Sequence, residues 1–151
     1  MSFNYKPTVT RRAFVASSLA GVMSATLPFP RMAEAAPRKF SLRAAPGRTR
    51  LVPEPHPDTA AWCYNGKVPG PEIRIRQGDR LQVEVTNDLA EETTVHWHGI
   101  RLPNAMDGVP HLTQAPIAPG DRFVYEFDAL DAGTFWYHPH QRSFEQVGRG
   151  L

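Results

Sequence analysis

The stretch GDRLQVEVTN, residues 78–87, decides the fold class. Leu81, Val83 and Val85 alternate with Gln82, Glu84 and Thr86. An extended backbone sends successive side chains to opposite faces, so one face here is apolar and the other polar. That is the pattern of a half-buried β-strand, and it does not fit the 3.6-residue period of a helix. Gly78-Asp79 supplies the turn ahead of it.

The same period runs outward in both directions. Ile73 and Ile75 alternate with Arg74 and Arg76, and Phe123, Tyr125 and Phe127 share one face. Turn chemistry punctuates these runs at Asn65-Gly66, Pro69-Gly70-Pro71, Pro119-Gly120-Asp121 and Ala132-Gly133. Strands are expected near 38–44, 60–64, 72–77, 80–87, 93–98, 122–128 and 133–138. Short strands with frequent turns make an all-β Greek-key sandwich or barrel. The proline-rich segment 99–121 is expected to be a structured loop. A chain of 151 residues with 15 prolines and 11 glycines suits one such domain.

The N-terminus has a different character. Arg11 and Arg12 are followed by a modestly apolar run to about Phe29, then by Ala33-Glu34-Ala35, a small-x-small cleavage pattern. This order is a secretory signal over residues 1–35, and the arginine pair with Phe14 and Val15 resembles a twin-arginine signal. The resemblance implies the twin-arginine export machinery as a partner and a periplasmic or other extracytoplasmic location. The signal also holds much of the charge. Residues 1–35 contain four basic residues and one acidic residue, so the net +2 becomes −1 for the remaining 13 basic and 14 acidic residues. No basic patch argues for nucleic acid. No stretch of the mature chain is long and apolar enough for a membrane-spanning helix. The single cysteine, Cys63, excludes an internal disulfide and reads as a small core residue.

The chemistry lies in two short motifs, His96-Trp97-His98 and His138-Pro139-His140. Residues two apart on a strand project together, so each motif offers a pair of imidazoles. Pro139 lacks an N–H and suits a strand end. One such pair alone is most simply a surface or core feature. Two pairs at expected strand ends, both beside aromatics, point to a metal, because neutral imidazole ligates copper and zinc. The spacing does not choose between them. No cysteine lies nearby for a closed zinc site, and copper heads the affinity series for nitrogen ligands. Trp97 and Trp136 read as packing around the cluster, and His56 and His111 as loop residues without a ligand role.

HWHGIRLP (96–103) and WYHPH (136–140), with YNGKVPGPEIRIRQGD (64–79) and MDGVPHLTQAPIAPGDRFVYEF (106–127), resemble the N-terminal cupredoxin domain of the multicopper oxidases. The resemblance covers 60–151, with 36–59 left as an N-terminal strand and linker. It implies a cupredoxin-like sandwich. It also implies copper ligands: His96 for a type 2 ion, His98 and His138 for one type 3 ion, and His140 for the other. Asp107 would then help deliver protons near the type 2 site, although a loop carboxylate before Gly108 is by itself an ordinary turn-former. The implied reaction is one-electron oxidation of a small reductant, a phenol or metal ion, coupled to reduction of oxygen to water. The His-Cys-His segment that holds a type 1 copper in the family is not in this sequence. After EQVGRGL (145–151) the family continues into another strand, so the resemblance makes this a truncated fragment, inactive alone and contributing half of a trinuclear cluster. Two other readings are a stand-alone periplasmic copper-binding module and a relative that has lost its copper. The retained histidines argue against the latter.

Overall fold

The computed structural model describes residues 36–151, and the export signal expected over 1–35 lies outside the described residues. The described part is built of strands: β1 Arg38–Thr49, β2 Thr59–Tyr64, β3 Arg80–Asn87, β4 His96–His98, β5 Arg122–Asp128 and β6 Trp136–His138. A 3-10 turn spans Asn104–Met106 and a short helix, α1, spans Ser143–Gln146. Four strands form one sheet in the order β2-β1-β3-β5, and β4 pairs with β6 in a second.

β1 serves two neighbours in turn. Its first half, Arg38 to Ala44, runs parallel to β3, and its second half, Ala44 to Thr49, runs antiparallel to β2. Ala44 is where one pairing hands over to the other. This explains why β1 reaches Thr49, beyond the 38–44 expected from sequence: β2 supplies backbone partners even to Pro46 and Gly47, where side-chain alternation is weak.

The central strand behaves as its alternation requires. Leu81, Val83 and Val85 are buried, and they pack with Leu42 and Ala44 of β1 and with Tyr125 and Phe127 of β5. Trp97 of β4 closes this core, with its ring edge-on to Tyr125 at 5.6 Å and to Phe127 at 5.3 Å. Each such side chain contributes about 1.5–3 kcal/mol through burial. Because Trp97 points into this core, its neighbours His96 and His98 must point away from it.

Three expected strands need correction. The segment 72–77 forms no strand, although its alternation survives: Ile73 and Ile75 are half-buried, while Arg74 and Arg76 are exposed. It has no ladder partner among the described residues, and it lines a groove of about 730 Å³ with Tyr64, Leu81 and Trp97. Alternation reports which face is buried, whereas a strand also needs a neighbour to bond. The expected strands 93–98 and 133–138 shrink to 96–98 and 136–138. Thr93 is taken by a different pairing, exchanging backbone bonds with Ile117 at 3.1 and 2.8 Å.

One polar group ties the core to the segment that leads into the histidines. The buried N–H of Val95 donates to the Tyr125 hydroxyl at 3.0 Å. Burial pushes the Tyr125 phenol up to about 12, so it stays protonated. Tyr125→Phe keeps the ring and orphans the Val95 N–H, so a loss of about 1–3 kcal/mol in urea unfolding is expected. A loss below about 0.5 kcal/mol would show that this bond does not hold the segment.

Candidate metal centre

The register of the small sheet builds the site. His96 pairs with His138 and His98 pairs with Trp136, across the central Trp97–Tyr137 pair. The three imidazoles therefore converge on one side of the β4–β6 ribbon. The ring of His96 lies 5.6 Å from that of His98 and 5.3 Å from that of His138. One nitrogen from each of His96, His98 and His138 falls within 4.8 Å of the others. His138 is buried, His96 is half-buried and His98 is exposed.

Hydrogen bonds fix which nitrogens face inward. His96 Nδ1 donates to the main-chain oxygen of Asp107 at 2.7 Å, and His138 Nδ1 donates to that of Pro139 at 3.0 Å. A carbonyl can only accept, so these Nδ1 atoms carry protons and each neutral ring keeps its lone pair at Nε2. His138 Nε2 faces His98 Nδ1 at 3.4 Å. Either a proton lies between these two nitrogens or both lone pairs are offered to a cation. Burial holds the His138 pKa below the ordinary histidine range, partly offset by the bond to Pro139 and lowered further by the neighbouring imidazoles. The ring is then neutral at pH 7, as a metal ligand must be. Such ties from the outer nitrogen of a ligand histidine orient the ring and set its tautomer.

His140 lies beside His96 but does not complete the group of three. Its ring is 5.4 Å from that of His96 and 6.2 Å from that of His138, and its nitrogens do not join the group of three. The sequence offered it as an equal member. It lies beyond the last pair of the β4–β6 ladder, after a proline, so the ladder does not set its position.

Asp107 sits on the loop between the two motifs, after the 3-10 turn, with its carboxylate 3.3 Å from His96 Nδ1. The shorter contact is its main-chain oxygen, a role that no motif signals. Trp136 is half exposed and stacks on the His138 ring at 4.0 Å between centroids. Trp97 lies on the core side of the ribbon. Cys63 is fully buried on β2, where burial pushes its thiol pKa up. His56 and His111 are exposed and lie outside the cluster. Sequence reasoning missed Thr93, Thr94, Tyr125 and Gln146, whose polar atoms are buried behind the site.

Residues 47–151 match a family model described as multicopper oxidase. A solved structure, the multi-copper oxidase from Pseudomonas thermotolerans, is 54% identical with a TM-score of 0.73, covering 78% of this chain and 28% of that one. Copper resistance protein A of Pseudomonas syringae pv. tomato is 49% identical over 88 residues, 58% of this chain and 14% of that protein. Multicopper oxidase MmcO of Mycobacterium tuberculosis is 38% identical over 152 residues, 89% of this chain and 30% of that protein. The chain thus spans 30% or less of the length of these curated relatives. The fold is the cupredoxin-like all-β sandwich of such proteins, open at its edges and not a closed barrel.

Proposed function

The chain belongs to the multicopper oxidase family, and we propose that it supplies the first histidine half of the copper cluster at which such an enzyme reduces oxygen. One observation carries this reading: ligand nitrogens of three imidazoles converge within 4.8 Å, two of the rings with the outer nitrogen anchored to the main chain. An all-nitrogen donor set without a thiolate suits copper better than a structural zinc.

In this assignment His96 serves a type 2 copper. His98 Nδ1 and His138 Nε2, already facing one another, serve one type 3 copper, and His140 serves the other. Bound copper would supply one-electron steps from a phenol or metal-ion reductant to oxygen. The protein's part is to hold the rings, keep His138 neutral and bring a carboxylate to the rim. Asp107 does the last of these and would pass protons inward. Upstream, residues 1–35 would act as a twin-arginine export signal for a folded protein bound for the periplasm. Residues 36–59 would form the N-terminal strand and linker, and 60–151 the copper domain. None of the helices among the described residues is long and apolar enough to cross a membrane.

Equilibrium dialysis against copper and zinc, each alone and then together, tests the reading. Copper retained in preference to zinc is expected. Preference for zinc, or release of both, would contradict it. Asp107→Asn separates the carboxylate from the carbonyl. It keeps the main-chain bond to His96, so copper retention is expected to stay within about twofold, while general-acid loss lowers oxygen reduction in the enzyme by about 100-fold. Loss of copper from Asp107→Asn would instead make the carboxylate a structural anchor.

A further inference from the structure

His140 poses a positional problem that the fold solves with buried polar side chains. The β4–β6 ladder ends at the His96–His138 pair, and Pro139 has no N–H to extend it. The backbone N–H of His140 donates instead to the hydroxyl of Thr94 at 3.3 Å, a link spanning 46 residues. Thr94 is fully buried, as are Thr93 and Gln146. The Thr93 hydroxyl donates to Gln146 Oε1 at 2.8 Å. The Gln146 amide donates to Glu91 Oε1 at 3.0 Å and to the Glu92 carbonyl at 2.8 Å. Asn87 holds the start of the same segment, donating to the Glu91 carbonyl at 2.9 Å and to that of Ile117 at 2.8 Å.

The segment before the first histidine pair is thereby clasped to the helix after the second. A buried polar network with every member satisfied specifies one geometry, where an apolar contact of equal size tolerates several. If the network served only to hold α1 down, the Thr93–Gln146 bond would suffice. The Thr94 bond ends on the backbone of His140 itself.

We infer that Thr94 and Gln146 are positioning residues that set the distance of the His140 ring from His96, so that the fourth imidazole reaches bound copper. This deepens the copper reading and depends on it. The test is titration of the purified protein with copper, read as affinity and as the nitrogen couplings in the electron paramagnetic resonance spectrum of bound Cu(II). Thr94→Val, Thr94→Ser and His140→Ala are compared with the unaltered protein.

Thr94→Val removes the acceptor. It is expected to weaken copper binding by about tenfold, in line with loss of an outer partner, and to shift the spectrum toward that of His140→Ala. Thr94→Ser restores the hydroxyl and is expected to restore the spectrum. A Thr94→Val spectrum unchanged while His140→Ala alters it would overturn the inference. If His140→Ala itself leaves affinity and spectrum unchanged, the ligand role of His140 fails and the inference falls with it. Gln146→Met loosens the clasp from the helix side and carries the same comparison if Thr94→Val does not fold.

Discussion

Replacing His138 by alanine is expected to weaken copper binding by more than about 100-fold, beyond what loss of an outer partner gives. His138 is the buried member of the group of three. Its ring lies 5.3 Å from that of His96, 5.5 Å from that of His98 and 6.2 Å from that of His140. Its Nε2 is the atom that faces His98 Nδ1, and its Nδ1 is tied to the Pro139 carbonyl. Removing it leaves the two β4 rings, His96 and His98, without the third nitrogen of the group, which comes from β6. The metal-free variant is expected to keep its fold, because the core lies on the other face of the ribbon around Trp97, Tyr125 and Phe127. Competition titration against a copper chelator, with circular dichroism as the folding control, reads both effects. Wild-type affinity in a folded His138→Ala protein would contradict the ligand assignment.

The second large effect comes from a residue that ligates nothing. Gly108 has φ +75°, and a Cβ there would stand 1.9 Å from the Val95 carbonyl oxygen and 2.9 Å from the His96 nitrogen. Those backbone atoms form the peptide that enters the strand carrying His96. The absent side chain is what lets the loop pass close enough for the Asp107 carbonyl to reach His96 Nδ1. Gly108→Ala is expected to lose at least about 3 kcal/mol, from left-handed strain together with overpacking against backbone that cannot yield. Gly120 is the matched control. Its φ is +82° but nothing lies within 4 Å of a Cβ built there. Gly120→Ala therefore carries only the conformational cost, about 1–2 kcal/mol. Chemical unfolding of both variants separates strain from collision. Equal losses at the two positions would refute the close-approach explanation.

The sandwich was legible where alternation and pairing coincide. Leu81, Val83 and Val85 face the core as their spacing requires, because β3 lies between two partners that fix its register. Ile73 and Ile75 carry the same spacing without a partner, so the alternation there predicts burial correctly and strand formation wrongly. Strand length is harder to read for a similar reason. β1 runs to Thr49 because β2 is beside it, a fact held in residues 59–64 and not in β1 itself.

The site divides along the same line. His96, His98 and His138 were legible because their spacing and the short ladder act together. His140 was legible as a candidate but not as the outlying member, since its place depends on a threonine 46 residues earlier. Gln146 and Thr94 are single polar residues whose meaning is a contact, and no local pattern marks them. At Asp107 the motif pointed to the carboxylate, while the shortest bond uses the main chain, which every residue possesses.

We propose that the three converging histidines hold copper. The most direct test is the electron paramagnetic resonance spectrum of the protein saturated with Cu(II) and passed through a desalting column. The expected result is retained copper with couplings from histidine nitrogens, reduced in His96→Ala and in His138→Ala. Copper lost on the column, or retained with an oxygen-only spectrum that both variants share, would contradict it.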